Sequence, residues 1–394
     1  MGRRAQFAAS VSLVAAVVGV SIGTAAPVGE TVRAGETAAT PNSATSPAAP
    51  KLEPQTIRLD GVVLVSTASA EVTRRTADHL RGRLKQYRQF LPPRAELKTK
   101  DRAEIKIKLY GTSAAYRAAV AMYGLHVENP ACYLWEPSLI FLGFDGAKYD
   151  DVLAAAEARS ADLERKRVEA ARRFADTKKE EAQRFQRDNV AAQVRHDISY
   201  RSQQEFNRAR AAAKQQQDEA DEKNRKLFDE ATDRLLALAD HELFHAYVQT
   251  EVYSQADGGL PAWLDEGLAQ LVEHAVRRDD ALGFSVRAPA LKQRLRDALK
   301  QGDPPTAASL IESHDKHYLL ADRRETDAVR RRYLFAWALA QLLVETKRLT
   351  PRDGLDRYVV DHLDDPSAAF ARFTKKPPAE FEKEWREFLT KVVK

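Results

Sequence analysis

The chain has 394 residues, of which 44% are hydrophobic and 30% charged, enough for two or three domains with real cores, which excludes wholesale disorder. Its one cysteine, Cys132, excludes an intrachain disulfide framework and any multi-cysteine zinc site. The net charge of +5, from 62 basic and 57 acidic side chains, comes with no stretch that interleaves basic residues with aromatics, which argues against nucleic acid as a partner.

In chain order, Arg3 and Arg4 precede an uncharged run from Ala5 to Gly29, apolar mostly between Phe7 and Ile22, with small residues at Gly23, Ala25 and Ala26. A basic start, an apolar stretch and a small-residue exit describe a secretory signal peptide over residues 1–26. Left uncleaved, the same run is long enough to anchor the chain in a membrane, and only in that case is a membrane a partner. Both outcomes place the rest of the protein outside the cytoplasm, secreted or periplasmic. Residues 27–55 are Ala, Thr, Pro, Ser and Gly with almost no large apolar side chain, the composition of a disordered linker.

Residues 56–146 read as a small α/β subdomain. Val63-Leu64-Val65 and Ile105–Leu109 are β-rich, and the second alternates apolar residues with lysines. Between them, Ala77, Leu80, Leu84 and Tyr87 recur at helical spacing. A second helix is expected over Ala114–Met122, then strands near Ala131–Trp135 and Leu139–Phe144 separated by the turn signal Glu136-Pro137.

Residues 147–230 change texture. No Gly or Pro occurs from 147 to 257, and residues 151–230 carry 18 basic and 17 acidic side chains among many Ala and Gln. Strong helix formers with balanced charge predict a long solvated helical arm, turning back as a hairpin near Asn189–Ser199. Large apolar residues are sparse (Leu163, Val168, Phe174, Phe185), so an arm is expected rather than a well-specified coiled coil. Such an arm either projects into solvent or binds a protein partner. Residues 231–394 then read as almost wholly helical, punctuated at Gly258-Gly259, Asp303-Pro304-Pro305, Thr350-Pro351 and Pro377-Pro378.

The chemistry-bearing motif is His241-Glu242-Leu243-Phe244-His245, inside a strongly helical stretch. A spacing of four puts both imidazoles on one helix face, close enough to share a tetrahedral zinc ion, with Glu242 beside them to take a proton from water. Flanking Leu238 and Val248 continue that face inward. Two surface histidines on a helix are the bland alternative. A zinc enzyme needs a third protein ligand, and Glu266 is the candidate, one turn into a helix that starts at Pro261-Ala262-Trp263.

The run Trp263-Leu264-Asp265-Glu266-Gly267-Leu268-Ala269 resembles the Trp-Leu-Asn-Glu-Gly-Phe-Ala-type motif of gluzincin metallopeptidases, and 20 residues separate His245 from Glu266, close to the family's spacing. The resemblance implies His241, His245 and Glu266 as zinc ligands and Glu242 as general base. It also implies that Tyr333, on the helix Arg332–Leu339 continuing to Glu345, donates to the oxyanion; the alternative for Tyr333 is half-buried packing. The segment 231–390 is similar to small exported peptidase-MA-like proteins, in which a sheet precedes the zinc helix and an edge strand holds substrate backbone; Leu139–Phe144 is the matching strand. Two departures stand out. The arm is foreign to the family's core, and the Gly-x-Met-Glu-Asn motif that recognises a free amino terminus is absent.

Other residues rank lower. His314 and His317 flank Asp315 in a polar loop as spare ligands or a charge patch, His274 is expected at the surface, Arg330-Arg331-Arg332 on a solvated helix face, and Cys132 as a buried small hydrophobe. The expected fold is α+β: a small N-terminal sheet with helices, a long helical insertion and a mostly helical C-terminal part carrying one Zn²⁺. The expected function is an exported zinc peptidase acting on peptide or protein substrates. Its rival is an extracytoplasmic scaffold whose arm binds a partner and whose zinc site is structural or residual.

Overall fold

The computed structural model describes residues 53–94, 104–125, 129–144, 146–254, 259–278, 281–283, 289–313, 327–349 and 352–393. The expected signal segment, nearly all of the linker, His314 and His317 lie outside the described residues. No helix among the described residues is long and apolar enough to cross a membrane. The fold is α+β, and the chain divides into two compact units: Lys51–Tyr149 with Glu230–Lys394, and a second whose described part is Asp150–Asp229.

The first unit begins with a five-stranded sheet. Strands β1 (Gln55–Leu59), β2 (Val62–Ser66), β3 (Ile105–Tyr110), β4 (Ala131–Leu134) and β5 (Leu139–Gly143) stand in the order β1-β2-β3-β5-β4. β2, β3 and β5 run parallel, while β1 and β4 are antiparallel to their neighbours. Strand β1 is missing from the expected set, although Asp60-Gly61, with Gly61 at φ 80°, is a two-residue hairpin signal. The topology also corrects the substrate-strand assignment. Leu139–Phe144 is not an edge: β5 is buried along its whole length between β3 and β4. The free edge beside it belongs to β4.

Two helices flank the sheet. α1 (Ala70–Phe90) starts at Ser69, whose hydroxyl accepts from the Val72 N–H, and buries Val72, Ala77, Leu80, Leu84 and Tyr87 on one stripe. α2 (Ser113–Ala121) sets Tyr116 and Val120 against Leu139 and Phe141. Gly143 permits that contact, because a Cβ there would lie 2.7 Å from the Tyr116 ring.

Two long helices follow, α3 (Gly146–Arg187) and α4 (Ala192–Tyr247). Within the second unit they form an antiparallel pair, reversing at Asn189, which takes a left-handed φ of 50°. Phe174 stacks on Phe206 at 4.2 Å, and Arg167 and Ser160 both bond Gln217 across the seam. The half-buried positions Ser160, Leu163, Arg167, Ala170 and Phe174 alternate in steps of three and four. The two helices therefore touch along a seam that is polar toward its base, where a gap of about 510 Å³ opens among Ala156, Ser160, Gln217 and Asn224.

The remainder of the first unit is helical: α5 (Ala262–Glu273), α6 (Pro289–Lys300), α7 (Ala307–Ile311), α8 (Asp327–Glu345), α9 (Arg352–Asp361), α10 (Pro366–Thr374) and α11 (Pro378–Val392). A short hairpin, β6 (Val276–Arg278) with β7 (Ala281–Gly283), interrupts the expected all-helical run. Trp263, Tyr358, Phe370, Phe335 and Trp385 form its aromatic core, all at most 4% exposed, each contributing roughly 1.5–3 kcal/mol of burial. The arginine triplet is not simply solvated, since Arg331 donates to the carbonyls of Ala298, Gly302 and Asp303 and so caps the end of α6.

Candidate metal centre

The last turns of α4 are held by α1. Tyr87 meets Phe244 edge-on at 5.5 Å and donates its hydroxyl to the Asp240 carbonyl at 3.0 Å. Leu243, Phe244, Ala246 and Tyr247 are fully buried, as is Val248, whereas Leu238 is only half-buried. Asp240, 1% exposed, would be costly alone; Arg83 pairs with it at 2.8 Å and His79 bonds it at 2.7 Å. Beyond Tyr247 the helix widens into one π-helical turn, Val248–Val252, and the chain returns through Gly259 (φ 61°) to Pro261, which starts α5.

This return brings Glu266 to the histidine pair. His241 Nε2 and His245 Nε2 lie 3.2 Å apart, and Glu266 Oε2 stands 3.4 Å from the first and 3.6 Å from the second. His241, His245 and Glu266 form a cluster that could hold a metal ion. Donors around a tetrahedral ion bound at roughly 2.0–2.1 Å sit about 3.3 Å apart, the size of this triangle. Glu266 Oε2 is buried without a hydrogen-bond partner, so the donor set fits such an ion.

The outer imidazole nitrogens are occupied. Glu273 Oε2 lies 3.0 Å from His241 Nδ1, and Asp265 Oδ2 lies 3.0 Å from His245 Nδ1. Carboxylates on both Nδ1 atoms fix the tautomer that leaves Nε2 free to ligate. Neither carboxylate was among the expected site residues. Both were within reach: Asp265 adjoins Glu266, and Glu273 follows it by seven residues, two turns along the same face of α5. His274, expected at the surface, is half-buried and bonds the Gln270 carbonyl at 3.1 Å.

Burial alone would lower the His241 pKa, but Glu266 and Glu273 reverse it and bring it up to about 10. His245 is likewise raised, by Asp265 and Glu266 against burial. Glu266 is brought down to about 2, because the two histidines outweigh its burial. Glu242, 8% exposed, moves the other way: burial raises it above the ordinary carboxylate range. The same carboxylates that raise the imidazoles would favour a divalent cation bound between them, which must displace imidazole protons to bind.

Tyr333 on α8 reaches the same place, with its hydroxyl 3.5 Å from Glu266 Oε1. Gln270 Nε2 donates to the Tyr333 carbonyl at 3.0 Å, tying α8 to α5. Gly267 makes that approach possible, since an added Cβ would lie 2.5 Å from the Ala336 carbonyl oxygen. Cys132 is half-buried rather than buried, and burial pushes its thiol up to about 11. Comparison with protein-family models, curated proteins and solved structures finds no match to this chain.

Proposed function

We propose that the chain is an exported zinc-dependent peptidase of the gluzincin type. The observation that supports this reading is the convergence of three donors, His241, His245 and Glu266, beside the buried carboxyl of Glu242. A zinc ion held there supplies Lewis-acid polarisation of a peptide carbonyl and lets water ionise near neutral pH. Glu242 takes the proton from the attacking water and passes it to the leaving amine; its raised pKa brings it nearer to working pH for both transfers. Tyr333, beside Glu266, donates to the oxygen on which negative charge develops. Substrate backbone adds to the free edge of β4, whose outward groups are those of Ala131 and Tyr133. This follows from the Gly143 N–H donating to the Pro130 carbonyl, which sets the alternation along β4 and β5.

The test is zinc content and hydrolysis of a mixed peptide library, with and without chelator. Wild type binds one zinc and loses hydrolysis on chelation. Glu242→Gln keeps the zinc and loses at least ~10²- to 10⁴-fold in turnover. Tyr333→Phe keeps the zinc and loses on the order of 10²- to 10³-fold. Unaltered hydrolysis in Glu242→Gln would sink the mechanism; zinc without any hydrolysis in wild type would leave the scaffold reading standing.

A further inference from the structure

Both sides of the His241–Glu273 pair are tied to one side chain of α1. Asp240 precedes His241, and its Oδ2 lies 2.8 Å from Arg83 Nη2. Ala275 lies two residues beyond Glu273, and its carbonyl accepts from the same Nη2 at 3.4 Å. Between these anchors, Glu273 Oε2 stands 3.0 Å from His241 Nδ1. One guanidinium nitrogen thus brackets the pair, reaching α4 on one side and the end of α5 on the other.

Each point of the bracket is fixed. Arg83, Asp240 and Gln86 are all buried, and Arg83 Nη1 donates to Gln86 Oε1 at 3.1 Å, which holds the plane of the guanidinium. The Ala275 N–H donates to the Val272 carbonyl at 3.1 Å, so the Ala275 carbonyl moves with the last turn of α5. A cation there also meets the negative end of the α5 dipole. α1 packs on β7, in the hairpin that follows Ala275, which keeps Arg83 over this end of α5.

We propose that Arg83 is a positioning residue for the metal centre: by bonding Asp240 and the Ala275 carbonyl together it holds Glu273 against His241, and so holds His241 in its ligating orientation. This rests on the metal-binding reading of His241, His245 and Glu266, and deepens it by giving α1 a part in setting the site. Arg83 acts through Glu273 and touches neither metal nor substrate. The rival role is plain neutralisation of the buried Asp240, which a lysine could also perform beside His79, 2.7 Å from Asp240 Oδ1.

The test compares Arg83→Lys, which keeps the charge and loses the planar fork, with wild type. Zinc release into excess chelator and the visible spectrum of the cobalt-substituted protein are the readouts, both independent of hydrolysis. Loss of an outer contact to a metal ligand typically weakens binding by roughly 10- to 100-fold, so Arg83→Lys should release zinc faster by about that factor and shift the cobalt bands. Arg88→Lys alters another ion pair of α1, to Glu251 at 2.9 Å, and should match wild type in both readouts whatever its zinc-free Tm. In a Glu273→Gln background, Arg83→Lys should add no further acceleration. Wild-type release and spectrum in Arg83→Lys, equal effects from Arg88→Lys, or multiplied effects with Glu273→Gln overturn the proposal. Should Arg83→Lys not fold, Gln86→Met, which frees the guanidinium to turn, carries the test, and wild-type release there overturns it. A wild type that takes up no zinc overturns the metal centre itself and this proposal with it; normal uptake with an unchanged Arg83→Lys overturns this proposal alone.

Discussion

Gly267→Ala probes the contact that brings Tyr333 to Glu266. The new Cβ would sit 2.5 Å from the Ala336 carbonyl oxygen and 2.9 Å from Ala340 Cβ. Ordinary contact begins near 3.4 Å, so α8 must retreat from α5 by about 0.9 Å. Overpacking of this kind costs roughly 1–3 kcal/mol, whereas Ala in place of Gly inside a helix returns ~0.8–1 kcal/mol. The net is a destabilisation of about 0–2 kcal/mol, read as a lower urea midpoint. The larger effect falls on Tyr333, whose hydroxyl already stands 3.5 Å from Glu266 Oε1 and whose carbonyl accepts from Gln270 at 3.0 Å. Retreat by nearly an ångström breaks both, so turnover should fall toward the Tyr333→Phe level while zinc stays stoichiometric, its three donors lying on α4 and the first turns of α5. An Ala variant stabilised by the full ~1 kcal/mol of helix propensity, with unaltered turnover, would show that α5 and α8 are not held by this contact and that Tyr333 has no part in the chemistry.

Two further outcomes are expected. Replacing Asp151–Lys226 with a short flexible linker should leave a folded protein that binds one zinc per chain, checked by circular dichroism and metal analysis; an insoluble or metal-free product refutes the independence of the two units. Cys132, with its thiol raised to about 11, keeps only ~0.1% thiolate at pH 8, so iodoacetamide should label it about 100-fold more slowly than an ordinary thiol, and faster only as pH rises toward 11. Rapid labelling at pH 8 would mean that the thiol is neither shielded nor raised.

What was legible in the sequence is what depends on local spacing. The His241–His245 interval is one helical turn, and the Glu266 helix announces itself through Pro261 and Trp263, so these three could be named before any fold was known. The difference between the edge strand β4 and the internal strand β5 is carried by composition. Leu139-Ile140-Phe141-Leu142-Gly143 is a continuous apolar run, the mark of a strand covered on both faces, whereas Ala131-Cys132-Tyr133-Leu134 mixes polar with apolar groups as an edge does. The seam between α3 and α4 carries no strong sequence signal, because Ser160 and Arg167 occupy half-buried positions where a heptad would place Leu. Glu273 and Asp265 carry no ligand spacing of their own, because they face the histidine Nδ1 atoms rather than the ion.

The end of α4 explains why the remaining partners lay beyond sequence reading. Asp240, His241, Glu242 and His245 are all largely buried within two turns of helix, and no one neighbouring element can satisfy all of them. Successive residues diverge by about 100° around the axis, so Asp240 turns toward α1 and meets Arg83 and His79, while His241 and His245 turn toward α5 and meet Glu273, Asp265 and Glu266. The helix therefore sorts its charges by angle between two elements that are 160 residues apart in the chain in one case and about 25 in the other. Packing of Tyr87 on Phe244 fixes the first orientation; the Gly267 contact with α8 fixes the second. A polar cluster this dense is stable only with every partner in place, so the apolar contacts that hold α1, α5 and α8 against α4 set the geometry of the metal centre, and changes in those contacts should register there before they register in the fold.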